Sequence, residues 1–139
     1  LIESWGEVAK VSGINASGRV ANAETDVSFS GDRSDVFLDP AAGSQEITLY
    51  FQNTGIRSLD KSSFSIFIDG VYSAPVGATT LYPSSGVWAS DHVLQVTVSD
   101  ASFNYNDSDK VVVTIVVQST ISEGVKGTSS ETAEVKLNV

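Results

Sequence analysis

Histidine occurs once in this chain, at His92, and cysteine not at all. General acid–base catalysis or a Ser–His nucleophile would have to run through His92, which stands between Asp91 and Val93 at the start of an alternating segment. That setting suits a solvent-facing or hydrogen-bonded strand-edge imidazole better than a catalytic one. Without cysteine there is no disulfide, no thiolate nucleophile and no zinc–thiolate site. The 17 acidic residues leave a carboxylate-pair mechanism open, because two of them can lie at almost any separation, yet none sits in a recognisable catalytic setting.

Oxygen ligands gather in one place. Asn104-Tyr105-Asn106-Asp107-Ser108-Asp109 offers Asn104, Asn106, Asp107 and Asp109 as weak cation ligands, with Asp32 and Asp35 forming a second small acidic cluster. Calcium takes six to eight oxygens, and the loop lacks the central Gly and distal Glu of the specific calcium loop, so solvated turn chemistry is the default reading. The same segment contains Asn106-Asp107-Ser108, an acceptor pattern for N-glycosylation, and Asn15-Ala16-Ser17 is another. Both matter only in an extracytoplasmic protein, and Asn106 lies in the more convincing surface loop. No pattern in the sequence requires a cofactor.

Charge narrows the partners. Seventeen acidic against eight basic residues give a formal charge of −9, the wrong sign for nucleic acid and repelled by an anionic membrane. A length of 139 residues with 41% apolar content suits one domain with a sizeable core. The longest apolar run, Val111 to Val117, is far short of a membrane span. The chain opens at Leu1-Ile2-Glu3-Ser4-Trp5 and contains no methionine, which reads as a processed or excised piece whose signal or anchor lay upstream.

The elements that must position these residues are strands. Residues 1–22 read as a lead-in or stalk, with a short helix at most, because Gly6, Gly13 and Gly18 interrupt the spacing of Ile2, Trp5 and Ala9. From residue 23 onward the period becomes two. Val27 and Phe29 alternate before Gly31-Asp32. Val36-Phe37-Leu38 precedes the Asp39-Pro40 turn. Ile47, Leu49 and Phe51 then share a face up to Asn53-Thr54-Gly55. Phe64, Ile66 and Ile68 lead into Asp69-Gly70, a dipeptide suited to the positive φ angles of a tight hairpin, with Val71-Tyr72 beginning the return. Short pieces follow around Val76–Leu81 and Gly86–Ala89. Leu94, Val96 and Val98 alternate, Lys110–Gln118 is almost continuously β-branched, and Ala133, Val135, Leu137 and Val139 close the chain. Seven to nine short strands with turn signals every 8 to 12 residues predict an all-β, immunoglobulin-like antiparallel sandwich over residues 23–139. Trp88 is expected to close one end of its core, and Trp5 to serve a partner interface. The β-branched strand is either central, or it meets another subunit through Val111, Val113, Ile115 and Val117.

The order of these pieces resembles the soluble domain of the archaellum accessory proteins FlaG and FlaF. The resemblance rests on Glu24-Thr25-Asp26-Val27-Ser28-Phe29-Ser30-Gly31-Asp32, on Ile47 to Leu59 with its Asn53-Thr54-Gly55 turn, and on Phe64 to Gly70 ending in Asp69-Gly70. Gly86-Val87-Trp88 leading into Leu94-Gln95-Val96-Thr97-Val98 continues it, although Ala89-Ser90-Asp91 stands where the family has a Pro-Gly turn. The Asp26-Val27-Ser28-Phe29 opening looks more like FlaG. The resemblance implies a non-enzymatic, stator-like domain outside the cytoplasmic membrane, anchored by an N-terminal helix that this chain does not contain. Its implied partners are the other member of the FlaG/FlaF pair, the surface layer, or a second copy of itself. An archaellin outer domain and a generic extracellular adhesion or ligand-binding sandwich are the alternatives.

Overall fold

The computed structural model describes residues 21–40, 44–76, 79–84, 86–121 and 124–139. Period-two segments become ten strands: β1 (Val27–Ser30), β2 (Val36–Asp39), β3 (Glu46–Asn53), β4 (Leu59–Ile68), β5 (Val71–Tyr72), β6 (Ala74–Pro75), β7 (Thr80–Tyr82), β8 (Val93–Ser99), β9 (Lys110–Ser119) and β10 (Thr128–Asn138). The expected residues point inward: Ile47, Leu49 and Phe51 on β3, Ile66 and Ile68 on β4, and Leu94, Val96 and Val98 on β8 are all buried. Burial of one face and exposure of the other sets each strand's register, since a slip of one residue would turn its apolar set to water.

The strands form two layers. One is built on β3, which pairs with β1, β2 and β8, while β8 also carries β6 and β7. The other runs β5-β4-β9-β10. β2 joins them: Val36 and Phe37 lie parallel to Leu137 and Asn138 of β10, and Leu38 and Asp39 then pair antiparallel with Ile47 and Glu46 of β3. One strand thus crosses from one layer to the other and closes that side of the sandwich, leaving a single apolar core drawn from both layers. The fold is the all-β, immunoglobulin-like sandwich expected from the strand pattern, with most pairing antiparallel and β2–β10 the parallel exception.

Two local features follow directly from sequence. Asp69 (φ 51°) and Gly70 (φ 83°) form the two-residue turn between Ile68 and Val71, with positive φ at both central positions. Phe29 and Phe51 face each other across β1 and β3 with ring centroids 5.8 Å apart and planes nearly perpendicular, the edge-to-face arrangement aromatic quadrupoles favour.

The assignment of Val111, Val113, Ile115 and Val117 to a partner interface is corrected by the fold. All four are at most 1% exposed, and they pack in the core. β9 lies between β4 and β10, so it is central in its layer, but only one of its faces is covered. The opposite face presents Val112 and Val116 at 39% and 38% exposure. Two boundaries also move. β4 begins at Leu59 and reaches Phe64 through an irregular stretch, and β10 begins at Thr128, ahead of the alternation at Ala133. Both extensions are polar: Thr128-Ser129-Ser130 is made a strand by pairing with β9 rather than by apolar periodicity, whereas Lys61-Ser62-Ser63 is the bulged stretch between the paired residues Leu59 and Phe64. Of the lead-in, only the end is described: Ala21–Ala23 is a helical turn, with Ala21 buried and its carbonyl accepting from the Thr25 hydroxyl. Trp5 and Asn15 lie outside the described residues.

Candidate functional site

Asn53, Gly55 and Trp88, separated in sequence by up to 35 positions, meet at one end of the sandwich. Asn53 terminates β3 with no exposed surface. Burying a primary amide is costly unless every donor and acceptor is matched. Here its Nδ2 donates to the carbonyls of Arg57 (2.8 Å) and Trp88 (3.0 Å), and its Oδ1 accepts from the Gly55 N–H (3.0 Å). Its own backbone is equally engaged: its N–H donates to the His92 carbonyl, and its carbonyl accepts from Asp91. A Cβ at Gly55 would stand 2.5 Å from the Glu24 carbonyl oxygen and 2.6 Å from the Asp26 nitrogen, which excludes any side chain there without backbone movement.

Trp88 completes this knot. It is fully buried, its indole N–H donates to the His92 carbonyl at 2.9 Å, and it forms a bridge with Leu59, whose N–H donates to its carbonyl. The tryptophan closes the core, as expected. His92 is bound into the same structure, with its carbonyl accepting from both Asn53 and Trp88 and its ring Nδ1 3.2 Å from the Val87 carbonyl. Around the knot, Glu24 accepts backbone bonds from Ile56 and Arg57, and its carboxylate meets the Arg57 guanidinium at 3.3 Å. The arrangement fixes a chain crossing.

The opposite end is built differently. Asp69 Oδ1 accepts from the Val112 N–H at 2.8 Å and its Oδ2 from the Tyr105 hydroxyl at 3.1 Å. Burial, then the neighbouring Asp69 carboxylate, pushes the Tyr105 phenol up to about 12. Gln45 clamps the Tyr105 backbone from both sides, with Nε2 to its carbonyl and Oε1 from its N–H, each 2.7 Å.

The proposed cation ligands lie in this region, and their carboxylates serve the backbone. Asp109 Oδ2 accepts from the Asn106 N–H (2.7 Å), Asp107 Oδ1 accepts from the Val139 N–H (3.0 Å), and Ser108 adopts φ 73° with its N–H on the Leu137 carbonyl. Asn104 and Asn106 are exposed. Among the described residues no three His, Cys, Asp or Glu side chains converge to hold a metal, and the carboxylates of this loop cap its own turn and the end of the chain. Asp32 likewise accepts from the N–H and hydroxyl of Ser34, bonds that hold its carboxyl below the usual range. Asn106 heads its acceptor triplet on an exposed loop, as that chemistry needs.

A shallow hollow of about 400 Å³ lies beside β10, lined by Arg33, Ser34, Lys110, Glu134, Val135 and Lys136. None of the residues singled out by sequence borders it.

Sequence reasoning assigned no role to the outward face of the layer built on β3. On the layer built around β3, Tyr50 stands opposite Gln95 on β8, which in turn stands opposite Thr80 on β7. Tyr82 on β7 reaches back so that its hydroxyl donates to Gln95 Oε1 at 2.9 Å. The signal was present as Tyr50-Phe51-Gln52 and Leu94-Gln95-Val96, but only strand pairing places the two tyrosines on either side of one amide.

The fold and these two ends define an immunoglobulin-like β-sandwich domain. No family model matches the chain, and no curated protein matches it.

Proposed function

We propose that this domain is a non-enzymatic anchoring module of the archaellum, a stator-like component of the FlaG/FlaF type acting outside the cytoplasmic membrane. The observation that carries the reading is the order of three turn-and-core signatures along a β-sandwich. Asn53-Thr54-Gly55 ends β3, Asp69-Gly70 turns β4 into β5, and Trp88 precedes β8. A component that resists torque needs a rigid body and a contact surface, and the buried Asn53–Trp88 knot supplies cross-ties of the kind that stiffen one end. Membrane attachment in this reading comes from a segment upstream of Leu1; no helix among the described residues is long and apolar enough to cross a membrane.

Partners in this reading are the companion archaellum protein, the surface layer, or a second copy. With Val111, Val113, Ile115 and Val117 in the core, the part of β9 available to a second copy is the face of Val112, Thr114 and Val116.

The test is co-sedimentation of this domain with the soluble domain of its companion protein and with isolated surface-layer sheets, together with a search for the chain in sheared filaments. Association with either partner and absence from filaments is the expected result. Incorporation into filaments would assign it instead to the filament subunits, and failure to bind either partner would overturn the anchoring role.

A further inference from the structure

The outward positions of β1, β3, β7 and β8 are Ser28 and Ser30; Glu46, Thr48, Tyr50 and Gln52; Thr80 and Tyr82; Val93, Gln95, Thr97 and Ser99. In a chain of net charge −9, the charges of this face lie at its margins: Glu46 with Asp39 of β2 opposite it at one end, and Asp26 just ahead of β1 towards the other. The remaining positions are hydroxyl, amide and aromatic, with Val93 aliphatic. Tyr50 is 39% and Tyr82 50% exposed, high for residues with apolar rings. Across the pairing Tyr50–Gln95 and Tyr82–Val93 the two tyrosines sit about 12 Å apart by strand spacing and rise, with Gln95 between them.

The polar groups between the rings are oriented and partly unused. Gln95 Oε1 is held by the Tyr82 hydroxyl at 2.9 Å, which leaves the Gln95 NH₂ as a donor toward solvent. Gln52 Nε2 is drawn to the Asp91 carbonyl at 3.4 Å, which leaves its Oε1 as an acceptor. Thr48 and Thr97 tie their hydroxyls together at 3.2 Å and flank the same row. The pairing of β3, β8 and β7 gives all of them one common support.

We propose that this face binds a neutral saccharide chain, beyond any role in anchoring by protein contacts. A pyranose ring presents apolar C–H groups that lie against the electron-rich face of a tyrosine, and a rim of hydroxyls that both donate and accept. Two rings about 12 Å apart on one face seat separate sugar units of one chain, and an amide donor beside an amide acceptor matches the hydroxyls between them. Charge selects the occupant. A nucleic acid or acidic glycan would meet no cation among these positions and would be repelled by the protein as a whole, and a basic peptide would find carboxylates only at the margins, Asp26, Asp39 and Glu46, away from the two tyrosines.

The experiment is affinity electrophoresis of the folded domain through gels containing a neutral β-glucan, a galactomannan or a starch-type α-glucan. Titration calorimetry then follows with oligosaccharides cut from whichever polymer retards it. At least one polymer is expected to retard the domain, and the retardation is expected to be unchanged over a tenfold range of salt. Tyr50→Ala, Tyr82→Ala and Gln95→Ala should each weaken binding by about tenfold or more. Tyr50→Phe should retain most of it, and Val116→Thr on the opposite layer should have no effect. Circular dichroism melting confirms that each variant is folded; all four positions are at the surface, and the three alanine variants test the face separately. Failure of all three polymers to retard the domain would overturn the proposal, as would retardation that survives all three alanine substitutions or that vanishes with salt.

Discussion

The two ends of the sandwich are tied by different chemistry. At the Trp88 end the central ties are neutral and buried, with the Glu24–Arg57 ion pair at their edge: an amide with its donors and acceptor matched, an indole N–H on a carbonyl, and a glycine that lets two backbones touch. At the Asp69 end the ties are carboxylates accepting backbone N–H groups in water: Asp69 from Val112, Asp107 from Val139, Asp109 from Asn106. Removing a buried partner leaves groups that water cannot reach, whereas removing an exposed one lets water substitute. The same fold therefore has one end held mainly by buried neutral groups and another held by carboxylates at the surface.

The largest effect should come from Trp88→Ala, which opens a cavity at the end of the core and removes one of the two donors to the His92 carbonyl. A loss of about 3–5 kcal/mol is expected, read by denaturant unfolding. Asn53→Ala should follow at about 2–4 kcal/mol, because it leaves the Arg57 and Trp88 carbonyls and the Gly55 N–H without their partner. Asp69→Ala at the other end removes one exposed acceptor and places a Cβ-bearing residue without a capping side chain at φ 51°, for about 1–2 kcal/mol. A loss at Asp69 equal to that at Asn53 would break the comparison.

Acid sharpens it further. The carboxyls of Asp32 and Asp100 are lowered from 3.8 by their bonds to the Ser34 and Ser102 side chains and N–H groups. Their contribution is present above pH 3.8 and is lost as pH falls through their lowered folded values. Melting temperature should therefore drop below that pH, and Asp32→Asn with Asp100→Asn should flatten the drop, while Asn53→Ala should shift the whole curve without changing its shape. Base acts through Tyr105. With its phenol raised from 10.0 to about 12, the unfolded chain loses the proton first, so stability declines as pH rises from 10.0 toward about 12. Absorbance titration should show one tyrosine ionising last, and Tyr105→Phe should remove that step.

Much of the fold was legible because a strand with one buried face writes its period into consecutive residues. Ile47-Leu49-Phe51 and Leu94-Val96-Val98 could be read without knowing their neighbours, and Asp69-Gly70 carried its own turn geometry. β9 was ambiguous for a physical reason. Its outward residues Val112 and Val116 are as β-branched as its inward ones, so composition did not distinguish core from surface. The polar beginning of β10 was illegible because pairing with β9, not its own side chains, makes it a strand, and that of β4 because a bulge between Leu59 and Phe64 interrupts the alternation. In Asn104 to Asp109 the residue types reveal available oxygens but not the backbone N–H groups of Asn106 and Val139 that Asp109 and Asp107 cap.

What the sequence by itself determined was local: an all-β chain, its main strands, the tight turn at Asp69-Gly70, and the absence of cysteine chemistry. Each is written in residue types a few positions apart, where backbone geometry and solvent act directly. Only the tertiary structure decided that β2 would cross between layers, that Asn53 would meet Trp88 35 positions away, and that Tyr50 and Tyr82 would flank Gln95. Those juxtapositions depend on which strands pair, a choice made by burying one shared core, and residues distant along the chain carry no local mark of it.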